Sequence, residues 1–232
     1  MDGWIDFYDS AHSIYVNPRH RDLHFRRIAQ DLARYVQPGT RVLDYGCGEA
    51  LHADMVAAPA ARLILVEPAP NLRARLTTRF AANPKIEVGG ADRLAALGDG
   101  TIDLVIMHSV AQYLTVGELD ATLGQFRRVL TPKGLLVLGD VIAPGTSALT
   151  DALTLLRFGA HDGFFFAALA GLVRTLFSSY RRLRAALGLT RYDAAAVTAR
   201  LAAAGFVAER APANIGHNDA RMTFLGRPTV PR

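Results

Sequence analysis

The chain has a single cysteine, Cys47, among 232 residues. One thiol cannot form an intrachain disulfide, so no disulfide framework holds this fold and the chain suits a reducing compartment. Lysine is scarce as well. Lys85 and Lys133 are the only two, and arginine carries the rest of a formal net charge of +5. That modest excess permits contact with nucleic acid or anionic lipid without requiring either. No run reaches the ~18 apolar residues that a spanning helix needs. Met1-Asp2-Gly3-Trp4 is not a basic region followed by an apolar run, so no secretory signal is expected. The expected place is the cytoplasm, with peripheral contact at the inner membrane face as the alternative. Metal-ligand spacings are missing: there is no C-x-x-C and no H-E-x-x-H, so no metal site is expected. Internal repeats and low-complexity linkers are absent.

What is present is apolar and periodic. Half of the residues are hydrophobic, enough for one sizeable core. Strand-like runs at Val42–Tyr45, Leu63–Glu67, Ile86–Val88, Ile102–Met107 and Leu135–Gly139 alternate with helical patterns. The helical stretches are Leu51–Ala57, Leu72–Phe80 and Gly117–Leu130, the last closed by Thr131-Pro132-Lys133-Gly134. Near-continuous apolar strands separated by helices predict a parallel sheet covered on both faces. A helix from Arg19 to Val36 precedes the first strand, so about forty residues lie ahead of the sheet. At the other end, after a helix at Asp193–Ala204, Phe206–Arg210 and Met222–Leu225 read as a hairpin with no helix between them. Residues 143–190 are too long and apolar for a connecting loop. There Phe165, Leu169, Leu172, Leu176, Leu183 and Leu187 share one helical stripe, with Arg174, Arg181, Arg182 and Arg184 crowding its end.

The turn that organises the chain is Asp44-Tyr45-Gly46-Cys47-Gly48-Glu49-Ala50. A strand, a Gly-rich turn and a helix present backbone N–H groups to a nucleotide-like ligand. A dinucleotide fingerprint, G-x-G-x-x-G, would need glycine where Leu51 stands. The alternative, D-x-G-x-G-x-G, fits Asp44, Gly46 and Gly48, with Ala50 at the last place. Glu67 ends the second strand, 21 positions beyond Gly46. An acidic group there accepts hydrogen bonds from ribose hydroxyls of either cofactor type. In open parallel sheets ligands bind at the carboxyl ends of the strands, which also brings forward His108, at the end of the fourth.

This order of motifs resembles the class I S-adenosylmethionine-dependent methyltransferases, over roughly residues 40 to 142 and 193 to 226. The N-terminal cover, the D-x-G-x-G turn and the terminal hairpin carry the resemblance. It implies an α/β fold: a Rossmann-like, seven-stranded, mostly parallel sheet ending in an antiparallel hairpin, with helices on both faces and an inserted helical lid. The chain then reads as one domain: a cover over 1–38, a cofactor-binding core over 39–142, the lid over 143–190, and the last helix and hairpin over 191–232. The implied cofactor is S-adenosyl-L-methionine, held by Asp44, Gly46, Cys47, Gly48, Glu67, Asp92 and His108. Cys47 would be a small packing residue of that turn. Asp92 lies two residues past Gly90, where the family places its adenine-reading carboxylate.

The implied chemistry is transfer of a methyl group to O, N or C, in which the enzyme aligns the attack and removes a proton where needed. His108 is the first candidate for that proton and His217 the second. Tyr8, His12, Tyr15 and Tyr113 are the expected acceptor-binding residues. The expected acceptor is a small, fairly apolar molecule; the alternative is a lipid or quinone-like acceptor reached by peripheral membrane contact through 163–188. A non-catalytic cofactor-binding protein is a further alternative. Nucleic acid is disfavoured, because His108-Ser109-Val110-Ala111 stands where amino-directed nucleic-acid enzymes carry N/D-P-P-[YF], and the basic residues do not interleave with stacking aromatics.

Overall fold

The fold is that of a computed structural model, which describes residues 2–10, 15–175 and 188–229. His12 and the arginines and leucines of 176–187 lie outside the described residues.

Two helices come first, α1 (Asp2–Asp9) and α2 (Pro18–Ala33). Asn17 starts α2: its side chain accepts the His20 N–H at 2.7 Å, and Pro18 at the first turn has no N–H to leave unpaired. Then the chain alternates: β1 (Arg41–Tyr45), α3 (Ala53–Ala57), β2 (Arg62–Val66), α4 (Pro70–Phe80), β3 (Ile86–Gly89), α5 (Asp92–Ala96), β4 (Ile102–His108), α6 (Val116–Val129) and β5 (Leu130–Ile142). Two helices follow, α7 (Ala148–Asp162) and α8 (Phe165–Thr175), and then α9 (Ala194–Ala203), β6 (Phe206–Arg210) and β7 (Arg221–Pro228).

The seven strands lie in the order β3-β2-β1-β4-β5-β7-β6. β1 to β5 pair in parallel, and β7 runs antiparallel to both neighbours. The order reverses between β1 and β4, which opens a crevice at their carboxyl ends. Strand alternation separates the core into two faces. Leu43, Ile64, Val105 and Leu136 pack under α6 and α9, while Val42, Leu63, Leu104 and Val137 pack under α2, α3 and α4. At the opposite end of the sheet Asp103 accepts the Arg41 backbone N–H and two guanidinium bonds, which ties β1 to β4 away from the crevice.

Three expectations are corrected. β5 begins at Leu130 and runs to Ile142, not Leu135–Gly139. Residues 131–134 are an irregularity inside the ladder, since Ile102 pairs with Leu130 and Leu104 with Leu135. The helix read from Leu51 starts only at Ala53, and α5 was not foreseen. Ahead of the Phe164 run stands a separate helix, α7, capped by Gly163 in a left-handed conformation (φ 77°). The apolar stripe of α8 also faces elsewhere. Phe164 and Ala168 are buried against Phe158, while Phe165, Phe166 and Leu169 are exposed. The small residues decide this: Gly159 and Ala168 let α7 and α8 approach closely, and a Cβ on Gly171 would overlap Val16.

Candidate functional site

A cavity of about 320 Å³ occupies the crevice at the carboxyl ends of β1, β2, β4 and β5, roofed by α1 and α2. One end is the glycine turn. Gly46 has φ +72° and Gly48 +59°, conformations that cost other residues energy. A Cβ on Gly46 would stand 2.5 Å from Val110 Cγ2, so the turn can lie against the segment after β4 only as glycine. Glu67 is 5% exposed and is held by two backbone donors, Gly48 N and Ala69 N, each at 2.9 Å. Burial raises its pKa and those N–H groups oppose the rise. Asp44 lies beside it, and its carboxylate makes no hydrogen bond among the described residues. Its burial, together with the Glu67 charge, pushes its pKa up to about 7. Cys47 is no nucleophile: burial first, and then the charges of Asp44 and Glu67, hold its thiol well above its ordinary range.

At the other end stand the residues closing β4 and lying within β5. His108 Nδ1 is 3.2 Å from Ser109 Oγ, and His108 Nε2 is 3.4 Å from the Ile215 carbonyl. Ser109 Oγ donates to Asp140 Oδ2 at 2.7 Å. Because that proton goes to the carboxylate, the hydroxyl oxygen faces Nδ1 as an acceptor. Burial lowers the His108 pKa, with Asp140 opposing the shift. Ser109 and Asp140 both have positive φ, 59° and 62°. Paired strain of this kind marks functional sites. A Cβ on Gly139 would meet the His108 ring at 2.7 Å, so the ring rests directly on the β5 backbone.

The roof is aromatic. The hydroxyls of Tyr8 and Tyr113 are 2.7 Å apart, and Trp4 lies 4.7 Å from the Tyr113 ring. Tyr15 borders His20 and His24 and is raised in pKa by burial. Asp44, Gly46, Cys47, Gly48, Glu67, His108, Tyr8, Tyr15 and Tyr113 thus share one cavity. Asp92 and His217 are not on its lining. Asp92 opens α5, and His217 stacks on Phe158 at 4.4 Å, with its Nδ1 3.4 Å from that of His24. Sequence reasoning did not single out Asp140, Ser109, Gln112 or His24. Asp140 was within reach, since it follows the apolar run of the fifth strand as Glu67 follows the second.

Residues 43–138 match the methyltransferase domain family. That stretch is 96 of the 232 residues, and over it the chain resembles a methyltransferase domain. A curated relative, ribosomal RNA small subunit methyltransferase A of Synechococcus sp. (strain RCC307), is 35% identical over 104 residues. That match spans 43% of this chain and only 38% of the relative. Among solved structures, the DhpI–SAH complex superposes with a TM-score of 0.62 at 14% identity, covering 100% of this chain and 97% of that one. Magnesium protoporphyrin IX methyltransferase from Synechocystis PCC 6803, solved with bound SAH, gives 0.56 at 20%, covering 97% and 93%. At these identities the likeness shows the fold.

The cavity lining can be tested against S-adenosylmethionine, the cofactor that the matched family implies. Asp44 is an unpartnered acid lifted to about 7 beside a second acid. A cationic ligand group beside Asp44 relieves its carboxylate. The residues therefore fit S-adenosylmethionine, which brings an ammonium and a sulfonium.

Proposed function

We propose that this protein transfers a methyl group from S-adenosyl-L-methionine to a small, fairly apolar acceptor bound under the aromatic roof. The observation carrying the reading is the pair Asp44 and Glu67 beside the Gly46–Gly48 turn, two acids that favour a cationic adenosine ligand. Glu67 would hold the ribose hydroxyls, Asp44 the ammonium, and the turn the backbone of the ligand's amino-acid part. When bound, the sulfonium supplies an activated methyl group. The chain's own residues orient the acceptor, exclude water through Trp4, Tyr8 and Tyr113, and hold a proton acceptor at the β4–β5 end. Both His108 ring nitrogens face protein oxygens, which favours the orienting role for His108 over direct proton removal. His217, outside the lining, would act only through His24.

Calorimetric titration with S-adenosylhomocysteine and with NAD tests the cofactor. Binding of the first and not the second is expected; NAD binding alone would sink the reading. Methyl uptake from labelled cofactor, screened over phenols, amines, carboxylic acids and total RNA, tests the acceptor. The ribosomal RNA relative makes RNA the arm to beat, and uptake by RNA alone would overturn the small-molecule reading.

A second reading has its own observation. Phe166 is 83% exposed, Val173 56% and Leu169 47%, so α8 presents an apolar face outward. A lipid or quinone-like acceptor taken at a membrane surface accounts for that face.

A further inference from the structure

The acceptor end of the cavity is built to read hydrogen-bond donors. Asp140 has one oxygen held by the Ser109 hydroxyl at 2.7 Å, while Oδ1 has no donor among the described residues. Its backbone N–H is tied to Asn214 Oδ1 at 3.2 Å, so the left-handed residue is pinned from both sides. Next to it on the lining, Gln112 donates through Nε2 to the Ser109 carbonyl at 2.9 Å. That bond fixes the amide orientation and leaves Gln112 Oε1 buried without a donor. That oxygen is out of reach of a ligand in the cavity, so the free acceptor there is Asp140 Oδ1. Charge points the same way. Asp44, Glu67 and Asp140 are the carboxylates on the lining. Among the described residues Arg221 is the only guanidinium or ammonium there, and Asp151 already pairs with it at 2.8 Å.

We propose that Asp140, held by Ser109, is the specificity-determining contact for the methyl acceptor, and that the acceptor is a neutral or cationic molecule offering an O–H or N–H, not a carboxylate. The proposal rests on the methyltransferase reading for its reaction but not for its contacts, which belong to the protein alone. Ser109 selects which Asp140 oxygen is free, and the strained φ values at both residues keep that oxygen turned toward the cavity. An acceptor carboxylate would meet Asp140 Oδ1 with no proton to give it.

Asp140→Asn is the informative variant, because asparagine tolerates φ near +60° about as well as aspartate. With Ser109 still donating to the amide oxygen, the group facing the cavity becomes an NH₂ and the preference reverses. Phenol, benzylamine and benzoate are titrated by NMR into protein saturated with S-adenosylhomocysteine, and again into ligand-free protein. In the wild type, phenol and benzylamine should bind about tenfold or more tighter than benzoate, the size of a charge-assisted hydrogen bond. In Asp140→Asn benzoate should gain and benzylamine lose, with S-adenosylhomocysteine affinity unchanged. Benzoate binding best to the wild type would assign the subsite to Arg221 and overturn the proposal. An unchanged order in the variant, or no binding by any of the three, would overturn it too. If S-adenosylhomocysteine itself does not bind, the methyltransferase reading fails, and the ligand-free titrations still decide Asp140.

Discussion

Burial pushes the Asp44 carboxyl up to about 7, and the Glu67 charge adds to the rise. The sign of the consequence follows from linkage. An acid with a raised native pKa leaves the folded protein holding more protons than the unfolded chain. Its contribution to stability is complete below the unfolded value and is lost as pH rises through about 7. A ligand ammonium placed beside the carboxylate prefers the ionised form, so affinity runs the opposite way. S-adenosylhomocysteine should bind more tightly as pH rises toward 7, by up to about tenfold per pH unit, and level off above. Asp44→Asn should flatten that profile, as calorimetry across the range would read directly; a slope that survives the substitution would assign it to another group. Glu67 makes a different prediction, because its two oxygens already accept Gly48 and Ala69 N–H groups. Glu67→Ala leaves those donors facing an empty space and removes the proposed ribose contact, so S-adenosylhomocysteine binding should weaken by about 1.5–3 kcal/mol. An unchanged dissociation constant would mean that Glu67 only shapes the turn.

The turn between β1 and α3 separates two costs that glycine avoids. Both Gly46 and Gly48 have positive φ, yet a Cβ at Gly46 meets Val110 while one at Gly48 meets nothing within 4 Å. Gly48→Ala should therefore cost only the left-handed backbone penalty, about 1 kcal/mol. Gly46→Ala adds an overlap with the buried Val110 side chain, and should cost about 1–3 kcal/mol more. Urea unfolding of the two variants would measure the gap, and equal losses would contradict it. The same elements show what was legible beforehand. Spacing of Asp44, Gly46 and Gly48 revealed the turn because its geometry is local and excludes most residues. β1, β2 and β4 read correctly because buried parallel strands leave continuous apolar runs. The β5 boundary did not, since Pro132 and Gly134 signal a break that pairing with Ile102 overrides through a bulge. The exposed side of α8 was illegible for a further reason: periodicity identifies an apolar stripe but not what covers it. Small residues at Gly159, Ala168 and Gly171 turned the helix so that part of its stripe faces out. Asp140 was missed because a carboxylate after a strand carries no signal of the left-handed backbone that aims it.

At the scale of the whole molecule, the sheet sets a division of labour that the apolar insert extends. On the proposed reading the cofactor lies at the ends of β1 and β2, and the acceptor at β4 and β5. α7 and α8 follow directly from β5, so whatever the α8 face meets is one connection away from Asp140. Among the described residues no helix is long and apolar enough to cross a membrane, so the lipid reading is one of surface contact. The chain's net charge of +5 would draw it to anionic lipid, and that part of the attraction falls with salt. Phe166, the most exposed large apolar side chain of α8 at 83%, would supply the apolar part. Burying such a ring contributes about 1.5–3 kcal/mol, so Phe166→Asp should lower partition into vesicles by about tenfold or more. The fold should be indifferent to the change, because Phe164 and Ala168, not Phe166, anchor α8 on Phe158. Flotation with anionic and with neutral vesicles, at low and high salt, separates the contributions. Salt-sensitive flotation on anionic vesicles that Phe166→Asp abolishes would support acceptor capture at a membrane. Flotation that tracks charge alone, unmoved by Phe166→Asp, or no flotation at low salt, would leave the α8 face without a part in acceptor capture.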